Sequence, residues 1–201
     1  QGKWKTAAGI VGAAWVAFGT LRFLWSRFRN RNPQASGTRM TREMWGMTLA
    51  HLGIAVFLVG ALLDEGLAQQ REVAVKPGQS VALAGHCFVL KGVQHLDGPN
   101  YGAERGTVEV LEDCTTPIAT LHPEKRSYRG GQVMSEVALE RGITRDLYVA
   151  LGEPLGEGAW ALRVHVKPFV RWIWAGALLM ALGGLVTATD KRFRNLARKE
   201  F

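Results

Sequence analysis

The sequence predicts a membrane α-helical protein with an all-β domain inserted between its last two spans. Three observations carry this. Residues 7–21, 44–63 and 170–189 are almost free of charge. The long segment between the second and third of these changes to short β-rich stretches separated by turn residues. The basic residues crowd beside the apolar stretches and are not spread over the chain.

The first apolar stretch has a clean core shorter than a bilayer needs. It reaches spanning length when Thr6 and residues 22–25 sit in the interface, where Arg22 snorkels and Trp25 is favoured. A first span over residues 1–25 is therefore expected, followed by a basic cytoplasmic loop over 26–43 that contains Asn32, Pro33, Ser36 and Gly37. The second span, 44–63, has the roughly 20 residues that cross about 30 Å of hydrocarbon at 1.5 Å rise per residue. The third, 168–189, does the same and leads into a basic tail, 190–201. Small residues three or four apart (Gly9, Ala13 and Ala17; Gly46, Ala50 and Gly53; Ala177, Ala181, Gly184 and Ala188) predict close helix packing within lipid.

Residues 64–167 carry slightly more acidic than basic residues. The net charge of +8 thus comes from the flanks of the spans, which excludes a nucleic-acid-binding face and matches the positive-inside rule. Residues 22–42 and the tail are then cytoplasmic, and the β-rich domain and the N-terminus lie outside. An external N-terminus with no signal-peptide pattern ahead of it predicts that the segment comes from the C-terminal part of a longer polytopic protein.

Within 64–167, stretches at 72–75, 80–84, 87–93, 107–111, 118–121, 133–140, 147–151 and 159–166 are rich in β-formers. Pro77-Gly78, Gly98-Pro99-Asn100, Gly130-Gly131 and 152–158 punctuate them. Spacing of about ten residues predicts a small β-sandwich or barrel. Cys87 and Cys114 both fall here, either as a disulfide or as free buried thiols.

His51 is the one ionisable side chain between Glu43 and Asp64. An intramembrane imidazole is costly unless it is hydrogen-bonded, paired or coordinated, so it is a functional candidate: a metal or haem ligand, or a group bonded to a neighbouring helix. His86, His95, His122 and His165 all lie in the β-rich domain, and His122 draws attention for its charged neighbours Glu124, Lys125 and Arg126. No GxSxG, Walker-type loop, HExxH or paired CxxC occurs, and no catalytic residue is assigned. A proton-relay role for His51 would need a second ionisable group near the midplane of a neighbouring span, and the first and third spans offer none there.

Trp45-Gly46-Met47 and Ala50-His51-Leu52-Gly53 open a run of residues that resembles the CcmF family of cytochrome c-type biogenesis proteins, the haem lyase component. Gly98-Pro99-Asn100-Tyr101, Leu121-His122-Pro123-Glu124-Lys125-Arg126, Thr144-Arg145-Asp146-Leu147-Tyr148 through Pro154, and Lys167-Pro168-Phe169-Val170-Arg171-Trp172 through Gly184 continue it. The resemblance implies a multi-pass protein of the bacterial inner membrane whose 64–167 domain is periplasmic. It implies a role in attaching haem to apocytochrome c, with a haem chaperone and other maturation subunits as partners. By position in the motif it makes His51 one axial ligand of a haem b iron, with the second ligand on a segment outside this chain. An electron passed from that haem to the iron of an incoming haem is the mechanism the family implies. The Trp-rich haem-handling segment of the family has no match here, so the fragment alone is not expected to be active. A membrane-anchored β-domain that docks an apocytochrome or haem chaperone without catalysis is the alternative.

Overall fold

The computed structural model describes residues 3–29 and 40–190. The predicted basic tail and most of the basic loop, residues 191–201 and 30–39, lie outside the described residues. The chain divides into two units, one made of three helices and the other of residues Leu67–Pro168.

The helices are α1 (Lys3–Arg29), α2 (Arg42–Leu67) and α3 (Val170–Ala188). Each is long and apolar enough to cross a bilayer. Thr41 caps α2: its Oγ1 accepts the Met44 N–H at 3.2 Å, and its carbonyl accepts from Trp45 N at 3.1 Å. The Asp190 carboxylate accepts the Glu43 N–H at 3.2 Å, so a residue just after α3 satisfies a second open donor at the start of α2.

α2 packs on two faces. Gly46, Gly53 and Gly60 are buried on one, and they meet Gly183 and Thr187, then Gly176 and Met180, then Trp172 and Ile173 of α3. A Cβ on Gly183 would stand 2.5 Å from the Gly46 carbonyl oxygen, so these backbones touch with nothing between them, as small-residue helix contacts in lipid do. The other face packs on α1, where Gly9 sits against Leu62 and Ala13 is buried. The small-residue stripes expected on α1 and α2 therefore match, but the one expected on α3 does not. Ala181, Gly184 and Ala188 are exposed, and the packed positions are Gly176 and Gly183. A spacing of seven keeps residues on one helix face as well as a spacing of four does, and seven is the repeat α2 presents.

The second unit has ten strands: β1 (Gln69–Val75), β2 (Ser80–Leu83), β3 (His86–Asp97), β4 (Tyr101–Glu112), β5 (Thr116–Leu121), β6 (Glu124–Tyr128), β7 (Val133–Glu136), β8 (Ala138–Arg141), β9 (Arg145–Gly156) and β10 (Ala159–Pro168). One sheet runs β1-β10-β9-β8. The other runs β2-β3-β4-β6-β7, with β5 paired to the C-terminal half of β4. The expected sandwich is present. Its core comes from alternate residues: Phe88 and Leu90, Val108 and Val110, Leu147, Val149 and Leu151, and Leu162, Val164 and Val166.

The structure corrects several strand assignments. Residues 133–140 form two strands, because the chain crosses from one sheet to the other at Val137. β6 is a strand although its sequence, Glu-Lys-Arg-Ser-Tyr, lacks the apolar alternation that signals one. Residues 152–156 continue β9, and the turn is confined to the left-handed residues Gly156, Glu157 and Gly158.

Cys87 and Cys114 are disulfide-bonded, with Cα atoms 4.8 Å apart. Cys114 is not in a strand. It and Asp113 hold positive φ at the centre of the tight turn joining β4 to β5, closed by Thr115 N–H to Glu112 O at 3.1 Å. The bond therefore ties that turn to β3 across a separation of 27 residues. In the chain-entropy account, replacing both cysteines with serine will cost about 3.5 kcal/mol, readable as a lower urea midpoint for the sandwich. An unchanged midpoint would show that the unfolded chain is already constrained there.

Candidate functional site

His51 lies on α2 nine residues after Arg42, about 13 Å along the axis at 1.5 Å per residue. Its Nδ1–H donates to the Met47 carbonyl oxygen at 2.8 Å. That bond satisfies the backbone-facing nitrogen, selects the Nδ1–H tautomer and leaves Nε2 as the lone-pair nitrogen.

The ring borders a cleft of about 360 Å³ between α1 and α2, lined by Trp15, Val16, Gly19, Thr20 and Phe23 from one helix and Met47, Thr48 and His51 from the other. The two hydroxyls spend their protons within their own helices. Thr20 Oγ1 donates to Val16 O and Thr48 Oγ1 to Met44 O, each at 2.8 Å within its own helix. An apolar cleft with one basic nitrogen is thus what α1 and α2 offer. His51 remains exposed, so these helices form one wall and do not enclose a ligand.

The residues fit one axial position of a haem. A ring with its far nitrogen anchored to a carbonyl is the arrangement that orients a histidine ligand, and an apolar lining suits a macrocycle. They supply no second histidine: the other four belong to the other unit. Among the described residues no cluster of three or more His, Cys, Asp or Glu is arranged to hold a metal ion.

The β-domain histidines divide by environment. His86 is buried at the start of β3, bonded through Nδ1 to Ala84 O at 2.8 Å. His95 is exposed between Glu104 (2.7 Å) and Asp97 (3.4 Å). The Glu104 hydrogen bond and charge hold its pKa above the ordinary histidine value. His165 shifts down, because of burial first and then the nearby Lys167 and Arg163. His122 is exposed between β5 and β6, and the charged residues that follow it serve the fold.

The charged run beside His122 is an ion cluster built around a buried carboxylate. Glu124 is buried, and its carboxylate accepts from Arg105 Nε at 2.6 Å and from Arg126 Nε at 2.8 Å. Arg126 also lies 4.7 Å over the Tyr101 ring. Burial pushes the Glu124 carboxyl up, but the Arg126 and Arg105 hydrogen bonds outweigh it and hold the pKa below the usual range. A depressed carboxyl stabilises the fold above its unfolded pKa and loses that contribution as pH falls through the folded value. Glu124→Gln will cost about 2 kcal/mol, less than a fully buried pair because both guanidiniums are part exposed. It will also flatten the acid limb of a stability–pH curve; an acid limb that stays unchanged would place the titration elsewhere.

Three helices long and apolar enough to cross a membrane, joined through the chain to an antiparallel sandwich, define a membrane protein carrying a β-domain. Residues 66–168 match the family model described as the CcmF C-terminal beta-sandwich. The chain belongs to the CcmF family. It is 48% identical over 192 residues to the cytochrome c-type biogenesis protein CcmF of Pseudomonas aeruginosa, covering 95% of this chain and 29% of that protein. Against CcmF of Escherichia coli K12 it is 43% identical over 190 residues, covering 94% and 28%. The chain thus spans less than a third of the length of these relatives. A solved structure titled Cytochrome c Heme Lyase CcmF shares the fold, with a TM-score of 0.61 at 20% identity over 74% of this chain and 25% of that one.

Proposed function

We propose that this segment supplies one axial ligand, His51, to a haem b held in the membrane-spanning bundle of a cytochrome c maturation protein. The observation that carries the reading is the Nδ1–H bond to Met47, which directs the Nε2 lone pair away from the backbone of α2 at an apolar cleft. Met47 orients the ring, and Trp15 and Phe23 give the cleft beside it an apolar lining. A haem bound there supplies one-electron chemistry for haem attachment. The sandwich lies on the periplasmic side, where apocytochrome c and a haem chaperone are the partners expected of the family.

His51→Ala in the full-length protein that carries this segment will lower its b-type haem content at least about tenfold, read as the reduced-minus-oxidised spectrum and a pyridine haemochrome assay. His51→Gly with added imidazole will restore the absorbance, which separates lost ligation from lost folding. A spectrum unchanged by His51→Ala sinks the assignment.

A further inference from the structure

The turn between β8 and β9 presents an apolar side chain that the sandwich does not use. Ile143 is 75% exposed, the most exposed large apolar side chain of the β-domain. Arg141 and Arg145 flank it. The turn is also pre-formed: the buried Asp146 accepts the Gly142 N–H through Oδ1 at 3.1 Å, and Arg145 reaches Glu112 at 4.0 Å.

The sheet register locates this turn along the chain path. Arg145 pairs with Pro168, the last residue of β10. Ile143 lies two residues beyond Arg145, and Val170, the first residue of α3, lies two residues beyond Pro168. The turn therefore leaves the sheet at the same strand end as the C-terminus of β10, from which the chain continues into α3. β1 begins at the same end, since Gln69 pairs with Val166 two residues after α2 stops. Interfacial chemistry recurs at the start of α3: Arg171 is in its first turn, and Trp172 packs edge-on against Phe169 at 5.3 Å.

We propose that the 142–144 turn is a membrane-interface anchor, with Ile143 inserted among lipid acyl-chain ends and Arg141 and Arg145 against anionic headgroups. Lipid is the occupant because the turn leaves the sheet at the strand end from which the chain continues into α3, and because one apolar tip between two cations is complementary to a headgroup layer over hydrocarbon. The inference rests on reading α3 as a membrane span.

The test uses the whole chain in nanodiscs of phosphatidylethanolamine and phosphatidylglycerol. Single cysteines at Ile143, Leu155 and Leu178 are labelled with an environment-sensitive fluorophore without reductant, so that the Cys87–Cys114 bond stays closed. Leu155 is 56% exposed near the far end of β9, and Leu178 is 64% exposed on α3. A probe at 143 will emit to the blue of one at 155, and shallow doxyl-labelled lipid will quench it at least about twofold more. Equal, iodide-accessible emission at 143 and 155 overturns the anchor. Blue-shifted emission at 143 without lipid quenching also overturns it, since protein would then be the occupant. An unquenched probe at 178 overturns the span reading as well, which keeps the two failures distinct. Thr144→Cys repeats the measurement if Ile143→Cys does not fold.

Discussion

Leucine at Gly53 will separate α2 from α3. A Cβ there would already stand 2.7 Å from the Met180 nitrogen and 2.8 Å from the Gly176 carbonyl oxygen. Both are backbone atoms of a continuous helix, so no rotamer change relieves the clash and the helices must move apart. Overpacked sites commonly cost 1–3 kcal/mol, and a clash with rigid backbone belongs at or above about 3 kcal/mol. The loss will appear as a lower midpoint for heat-induced aggregation in detergent. Gly184→Leu is the matched control, because nothing lies within 4 Å of that position and its side chain will face outward. Equal losses from the two substitutions would show that leucine is tolerated or refused for reasons unconnected with this seam. The His51–Met47 hydrogen bond lies within α2, so Gly53→Leu tests helix packing separately from ligand geometry.

The spans were legible in the sequence because bilayer thickness sets their length and the absence of charge marks them, whatever they pack against. Their faces were less legible. Alanine and glycine at spacings of four recur throughout α3, and only contact with α2 picks out Gly176 and Gly183. In the sandwich, strands with alternating apolar residues, such as β9 and β10, declared themselves. β6 did not, because Glu124 and Arg126 satisfy each other inside the fold and so imitate an exposed charged loop. A carboxylate flanked by two arginines across strands carries no local signal, since Arg105 is supplied by β4. His51 stood out on cost alone. Its bond to Met47 and the cleft with α1 arise only once the helices form and pack, and its ring stays exposed.

Phe88→Ala will be the most damaging single truncation within the sandwich core. Phe88 is fully buried on β3, paired in register with Val81 and Val110, and is the largest of the fully buried side chains. Replacing it leaves a cavity between two sheets whose backbones are held by ladders on both sides, so the site cannot collapse, and about 3–5 kcal/mol is expected. That is a large share of the 5–15 kcal/mol that stabilises a typical domain. Hydrogen exchange of peptides from β3, β4 and β9 will report it as lost protection across all three, because one core joins them. Val89→Ala, half-buried on the opposite face of β3, will reduce protection far less. Combining Phe88→Ala with serine at Cys87 and Cys114 then asks how the disulfide works. If the bond acts by restricting the unfolded chain, the two losses add despite their adjacency. If it acts by holding β3 against the β4–β5 turn in the folded state, the cavity will already have loosened that strand. The triple change will then cost less than the sum.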